Sequence, residues 1–171
     1  HIALALGASS LLASGVALAK DAKAYPNGPV TLIVPYAAGG VTDLMGRALG
    51  QALSKQLGQS VIIENKPGAA GAMGVMEMKR AKPDGYRLTL SPAGIFRQPH
   101  VQKTQYDPLK DVRYTATFMT YDFVITVPPD SPYKTVQELV NFAKANPGKL
   151  SYGTPGNYTG NHIAMAALEK L

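Results

Sequence analysis

The chain has 171 residues, about the length of one domain, of which 46% are hydrophobic and 16% charged, with a formal net charge of +6. It contains no cysteine, which excludes disulfide scaffolds, iron–sulfur clusters and thiol nucleophiles. The 17 Lys and Arg residues are scattered and are not interleaved with stacking aromatic residues, so we expect no nucleic-acid partner.

The first nineteen residues, HIALALGASSLLASGVALA, predict an export signal. They carry no charge, their apolar stretch is shorter than the ~20 residues of a spanning helix, and they end on Ala17-Leu18-Ala19, an A-x-A cleavage pattern. We therefore expect a signal peptide at residues 1–19 and a periplasmic protein; a buried N-terminal helix is the alternative. The basic segment that opens such signals is missing from the sequence, so Sec and twin-arginine export both remain open.

The next part of the chain alternates between predicted strands and helices. Continuous apolar runs predict strands and apolar residues at helical spacing predict helices. The strands are expected at residues 30–34, 61–63 and 86–90, and the helices at residues 42–57 and 74–81. Thr42 or Asp43 is expected to cap the first helix, and Gly58 to end it. Such alternation with short loops indicates an α/β fold, in which helices cover both faces of a parallel sheet.

The remaining part is predicted to be irregular over residues 96–111 and then to alternate again. Strands are expected at residues 114–120, 122–127 and 150–152, and helices at residues 135–145 and 159–171. Thr135 and Glu138 have the spacing of a capping box at the start of the first of these helices.

Loops rich in small residues leave the carboxyl ends of the predicted strands, where open parallel sheets bind ligands. The first loop is residues 36–43, the second 64–74, the third 91–94, and a fourth, Gly-rich loop is 153–160. Gly39, Gly40 and Gly71 lie at helix starts, whose free N–H groups and partial positive charge suit an anion. Each loop alone can equally be a tight turn. Three such loops on one sheet edge, with an export signal, favour a protein that binds a small anion.

The sequence carries no recognised catalytic, cofactor or metal motif. The three histidines, His1, His100 and His162, form no H-E-x-x-H pattern, and no G-x-S-x-G elbow occurs. The GAAG stretch at residues 68–71 has neither P-loop nor dinucleotide-site spacing. No spacing of His, Asp and Glu closes a metal site. We expect no enzyme activity, no cofactor and no metal.

Several longer motifs run through residues 25–171. The two longest are PYAAGGVTD at residues 35–43, with Arg47, and ENKPGAAG at residues 64–71, with Gly74. Shorter ones are PDGY at residues 83–86, SPYKTVQEL at 131–139 and NPGKL at 146–150. Together they resemble the signatures of the Bug-type solute-binding proteins, the extracytoplasmic receptors of tripartite tricarboxylate transporters.

The resemblance implies a periplasmic-binding-protein-like fold whose two α/β lobes close on a small organic carboxylate, commonly a di- or tricarboxylate. It implies a first lobe at residues 20–120. Residues 121–171 would then form the crossover strand and the start of a second, truncated lobe. The implied partners are this carboxylate and the membrane subunits of a secondary transporter, and we expect a monomer.

The resemblance also implies a ligand site made by all four loops. Its residues are Tyr36, Gly39, Gly40, Thr42, Asp43, Ala70, Gly71, Ser91, Ala93, Thr154, Asn157 and His162. The first loop is expected to meet one ligand carboxylate largely through backbone N–H groups and ordered water. Asp43 is interpreted as a helix cap that orients water, because its own charge would repel an anion.

The chain departs from the family pattern at two places. TPGNY at residues 154–158 replaces a Gly/Ser-rich string, and IFRQ at residues 95–98 replaces small polar residues. Arg97 is either a cation that pairs with a distal ligand carboxylate or a surface residue. Two other functions stay open: an exported sensor or adaptor that signals to a membrane partner, and an exported hydrolase whose catalytic groups would follow residue 171.

Overall fold

The computed structural model describes residues 24–170, so the predicted signal peptide lies outside the described residues. Its sheet has three parallel strands, β1 (Val30–Val34), β2 (Val61–Asn65) and β3 (Arg87–Thr89), in the order β2-β1-β3. The three strands predicted for this part are confirmed. The continuous apolar run of β1 fits its central place, since Leu32 pairs with a residue on each side and is 2% exposed.

The first helix, α1 (Val41–Leu57), packs on one face of the sheet, as predicted. Two glycines on its buried side allow the close approach. A Cβ on Gly46 would lie 2.8 Å from Val34 Cγ2, and a Cβ on Gly50 would lie 2.8 Å from Ile63 Cδ1. The spacing of four residues puts both glycines on the same helix face.

The helix α2 (Ala72–Arg80) follows a short 3₁₀ turn and covers the opposite face of the sheet, where it packs against α3 (Gly94–Val101). The sequence predicted an irregular stretch in place of α3. Pro99 has no N–H to donate to the Ile95 carbonyl oxygen one turn earlier. The buried Tyr106 hydroxyl lies 3.0 Å from that oxygen and donates to it, which explains why a helix with an internal proline is accommodated.

The helices α4 (Val136–Ala145) and α5 (Gly160–Leu168) confirm the two helices predicted for the second part of the chain. Thr135 Oγ1 accepts the Glu138 N–H at 3.2 Å, and the Glu138 carboxylate accepts the Thr135 N–H at 3.1 Å, so the predicted capping box is present. Within residues 24–170, every helix is too short or too polar to cross a bilayer.

The strands predicted at residues 114–120, 122–127 and 150–152 are wrong, because the structure has no strand at these positions. Their β-branched and aromatic residues fit a pleated surface. A strand forms, however, only where a neighbouring strand completes its backbone hydrogen bonds. Across the described range, no strand lies beside these three segments.

Candidate functional site

The four loops meet at the carboxyl ends of the three strands. A Cβ on Gly71 would lie 3.2 Å from the Tyr36 hydroxyl and would collide with Pro92, so the first three loops are in contact. A Cβ on Gly94 would lie 3.6 Å from the Tyr158 carbonyl oxygen, which brings the fourth loop to the same place. The convergence of the first three loops, predicted from strand order, is therefore present in the structure. The fourth loop, which the family resemblance placed beside them, contacts the third.

Asp43 lies beneath the first loop and is only 2% exposed. Its Oδ2 accepts hydrogen bonds from Arg47 Nε and from the Gly39 N–H, both at 2.9 Å, and its Oδ1 accepts one from Asn65 Nδ2 at 2.9 Å. The Arg47 side chain, followed by the Gly39 N–H and the Asn65 amide, lowers the pKa of Asp43 to about 2. The group is therefore a carboxylate at neutral pH with its charge compensated by Arg47.

The predicted caps of α1 are corrected by this arrangement. The N-cap is Gly40, whose carbonyl oxygen accepts the Leu44 N–H at 3.0 Å, and neither Thr42 nor Asp43 occupies that position. Asp43 lies inside the first turn and reaches back to the Gly39 N–H, one residue before the N–H that the glutamate of a capping box accepts. One consequence is that the Gly39 N–H is used by Asp43, while the N–H groups of the first helical turn have no intrahelical acceptor.

Asn65 joins the first loop to the end of β2. Its side-chain nitrogen also lies 3.1 Å from the Tyr36 carbonyl oxygen, and its Oδ1 accepts a bond from Arg47 Nη2 at 3.2 Å. Asn65 lies in the ENKPGAAG motif and is not among the predicted site residues. Its contacts with residues so far away in the chain leave no local pattern in the sequence.

Hydroxyl groups gather beside the start of α1. Thr42 Oγ1 and Tyr121 Oη are 2.6 Å apart, and either oxygen can donate the shared proton. Burial, with a smaller contribution from Tyr121, raises the pKa of Tyr36, so its hydroxyl stays protonated and can donate. Sequence reasoning placed Tyr121 at the start of a crossover strand and missed its contact with the first loop.

The second loop follows a rare backbone path. Gly68, Ala69, Ala70 and Gly71 all have positive φ, at 131°, 46°, 49° and 93°. At Gly71 a side chain would also collide with Pro92, so glycine is required there by both conformation and space. The predicted site residues Ala70 and Gly71 therefore shape the floor between the first and third loops.

The other predicted residues lie on the third and fourth loops and at the start of α5. Ser91 and Ala93 are exposed on the third loop, and Asn157 is exposed on the fourth. Thr154 Oγ1 donates to the Gly156 carbonyl oxygen within its own loop, at 3.4 Å. His162 Nδ1 accepts the Tyr158 N–H at 3.2 Å, so the histidine ring is oriented by the fourth loop itself.

Arg97 is exposed on α3, one turn from the third loop. In the part of the chain that the structure describes, no group of three His, Asp or Glu side chains could hold a metal ion. Around the start of α1, the loops offer the first helical N–H groups and the hydroxyls of Tyr36, Thr42 and Tyr121. This donor set suits an anionic ligand with several oxygen atoms.

The comparisons with known proteins agree with this geometry. The family model described as "Tripartite tricarboxylate transporter family receptor" matches residues 45–171. A Cupriavidus necator protein named "UPF0065 protein in gbd 5'region" is 45% identical over 148 residues, which cover 86% of this chain and 45% of that protein.

Two solved structures have the same arrangement of elements. Periplasmic binding protein BugD matches with a TM-score of 0.70 and 30% identity, over 85% of this chain and 49% of that one. The R. palustris protein Rpa4515, with adipate, matches with a TM-score of 0.68 and 28% identity, over 82% and 48%. The predicted periplasmic-binding-protein-like α/β fold is confirmed for the part that this chain covers. The chain spans about half the length of the curated relatives it matches.

Proposed function

Since this chain belongs to the tripartite tricarboxylate transporter receptor family, we propose that it binds a small organic carboxylate in the periplasm and delivers it to the membrane subunits of a secondary transporter. The protein then acts as a monomeric receptor without catalytic activity. Residues 20–120 form its first lobe, and residues 121–171 form the crossover and the start of its second lobe.

The observation that carries the proposal is the start of α1 in the first loop. The first N–H groups of a helix carry about half a positive charge and attract a carboxylate. Asp43 would oppose this attraction if its charge were free, but Arg47 compensates it at 2.9 Å. The start of α1, at residues 40–42, therefore still attracts an anion.

The neighbouring hydroxyls suit the oxygen atoms of such a ligand. Tyr36 provides one donor, since it stays protonated, and the hydrogen-bonded pair of Thr42 and Tyr121 provides another, because one of its two protons is used within the pair. Ala70 and Gly71 give the ligand a floor without side chains. Ser91, Ala93, Thr154, Asn157 and His162 form the rim in this proposal, with His162 held by its own loop.

A dicarboxylate is the ligand class that we favour. One of the similar structures was solved with adipate, which carries two carboxylates. The first loop can take one of them, and the second would meet the third and fourth loops on the opposite side. Arg97, exposed one turn into α3, is the cation that we propose to test against this distal group.

Isothermal titration calorimetry of the complete native protein against mono-, di- and tricarboxylates tests the proposal. We expect binding to at least one di- or tricarboxylate and none to matched amines or alcohols. If no carboxylate binds, the proposal is wrong. Arg97→Gln should weaken only ligands with a second carboxylate if Arg97 pairs with it.

The shared proton between Thr42 and Tyr121 gives a sharper test. Thr42→Val and Tyr121→Phe should each weaken carboxylate binding about fivefold, the usual effect of losing one hydrogen bond. The double variant should be little weaker than either single variant, because both remove the same bond. Thr120→Val, at an exposed neighbouring position, is the matched control and should bind normally. Additive losses would place the two hydroxyls in separate roles.

A further inference from the structure

We propose that Gln98 is a positioning residue that holds the second loop in its left-handed backbone conformation, and through it Gly71 against Tyr36. The proposal rests on the carboxylate-binding function proposed above. Gln98 lies in the IFRQ stretch, at one of the two places where the chain departs from the family pattern.

The second loop needs an external support to keep its conformation. Ala69 and Ala70 have φ values of 46° and 49°, in a region where the Cβ of an L-residue crowds the following carbonyl oxygen. One such alanine is uncommon in proteins, and here two follow each other. In a free loop, these residues would relax to negative φ values.

Gln98 provides that support from α3. It is 1% exposed, and its Nε2 donates to the Ala69 carbonyl oxygen at 2.7 Å. The bond fixes the direction of the peptide plane between Ala69 and Ala70, which sets the backbone angles on both sides of it. A buried side chain of this length cannot move without disturbing the core around Ile95.

Tyr106 positions Gln98 in turn, and Pro99 contributes indirectly by leaving a carbonyl oxygen free to bind Tyr106. The Tyr106 hydroxyl lies 3.1 Å from Gln98 Oε1 and 3.0 Å from the Ile95 carbonyl oxygen, which has no helical donor because of Pro99. The Ala69 carbonyl oxygen can only accept, so the Gln98 amide turns its nitrogen to Ala69 and its oxygen to the Tyr106 hydroxyl, whose one proton is shared with Ile95. Tyr106 is itself 6% exposed, so the whole contact is shielded from competing water.

The position of the loop decides the shape of the proposed ligand site. Gly71 lies directly against the Tyr36 hydroxyl and Pro92, with no space for a side chain. If the loop relaxes, this floor moves away from Tyr36. The apparent dissociation constant then equals the intrinsic constant divided by the fraction of molecules that keep the binding-competent conformation.

The experiment uses Gln98→Met, which keeps the length of the side chain and removes both hydrogen bonds. Carboxylate binding should weaken about fivefold by calorimetry. Adding Ala70→Gly to this variant should restore binding to within about twofold, since glycine adopts positive φ without penalty. Binding by this double variant is compared with that of Ala70→Gly alone, because Ala70 belongs to the proposed site and its own substitution can change the affinity. Gln51→Met, exposed on α1, is the matched control.

NMR spectra recorded without ligand test the positioning role of Gln98 independently of carboxylate binding. The backbone amide NMR signals of residues 69–71 should shift in Gln98→Met and return toward their original positions with Ala70→Gly. Tyr106→Phe should shift them less, and it replaces Gln98→Met if that variant does not fold. Unshifted signals in a folded variant overturn the positioning role, as does an Ala70→Gly that fails to restore them. If the unmodified protein binds no carboxylate but the signals behave as expected, only the proposed function fails.

Discussion

Asp43 is a carboxylate placed where an anionic ligand is proposed to bind. Its three hydrogen bonds explain why its negative charge does not repel such a ligand. Arg47 compensates the charge of Asp43. The bond from Asn65 connects Asp43 to the end of β2, and the bond from the Gly39 N–H holds the first loop against Asp43. The residue thus shapes the first loop and leaves the next N–H groups of α1 directed to solvent or ligand.

The lowered pKa of Asp43 predicts how stability depends on pH. Its folded-state pKa of about 2 lies below its ordinary value of 3.8, so the unfolded chain takes up the proton first as the pH falls. The stabilisation from Asp43 is therefore complete above pH 3.8 and is lost as the pH falls toward about 2. Asp43→Asn should lower the urea midpoint at neutral pH and reduce its loss in acid.

Urea unfolding monitored by circular dichroism across this pH range measures the effect. Some acid sensitivity should remain, because hydrogen bonds also lower the pKa of Asp107 and of Asp111. Asp130→Asn, at an exposed turn residue, is the matched control and should change neither the midpoint nor its acid dependence. An Asp43→Asn variant with the same midpoint and the same acid dependence as the unmodified protein would contradict this account of the network.

At the scale of elements, the contact between α1 and the sheet depends on glycine. Gly46→Ala adds a methyl group 2.8 Å from Val34 Cγ2 and 3.3 Å from Leu90 Cδ1, and both of these side chains are buried. Overpacking of this kind costs about 1–3 kcal/mol, against a gain of about 1 kcal/mol from helix propensity. We expect a net loss of about 1 kcal/mol in the free energy of unfolding.

Thermal and urea unfolding of Gly46→Ala measure this balance. Gly153→Ala, where a Cβ would meet no atom within 4 Å and φ is not in the left-handed region, is the matched control and should be close to neutral. A more stable Gly46→Ala would mean that α1 can move away from β1 at little cost.

The correctly predicted elements are those that a local sequence pattern specifies together with its neighbours in the sheet or helix. The run VTLIV gave β1 with its bounds, Gly58 ended α1 in the left-handed conformation, and the Thr135 capping box began α4. What sequence missed depends on partners far along the chain. The helix α3 was missed because Pro99 argues against it and only Tyr106 makes it acceptable.

The candidate site divides in the same way. The meeting of the first three loops could be predicted, because strands of a parallel sheet end on one edge and Gly-rich motifs follow them. The fourth loop was placed there by the family resemblance alone, since the strand predicted before it is absent. The contacts of Asn65, Gln98 and Tyr121 could not, since each joins its loop to a residue at least 22 positions away. The loops thus follow from sequence pattern, whereas the hydrogen bonds that hold them require the fold.

At the scale of the whole molecule, the apolar surface is unevenly distributed. The three strands and the helices α1 to α3 enclose most of the buried apolar residues. Between residues 114 and 127, by contrast, large apolar side chains are exposed, including Phe123 at 53% and Val124 at 77%. Exposed apolar patches of this kind mark surfaces that another element or molecule covers.

This distribution predicts a division in backbone protection for the 171-residue chain. Amides of β1, β2 and α1 should exchange slowly with solvent, because they are bonded within the sheet or a packed helix. Amides of residues 121–130 should exchange almost as fast as in an unfolded chain, since they belong to no strand or helix. The helices α4 and α5 should lie between these limits. Of the residues in these two helices, Leu139 alone is buried, so the helices are only partly covered.

Hydrogen exchange followed by mass spectrometry measures all of these regions in one experiment, with β1 as the internal reference for slow exchange. A dye that fluoresces on apolar surface should bind the chain, and Phe123→Ser with Val124→Ser should reduce its signal without changing exchange in β1. Slow exchange throughout residues 121–130 would contradict the prediction. It would mean that a hydrogen-bonding partner, such as a second copy of the chain, covers these residues in solution.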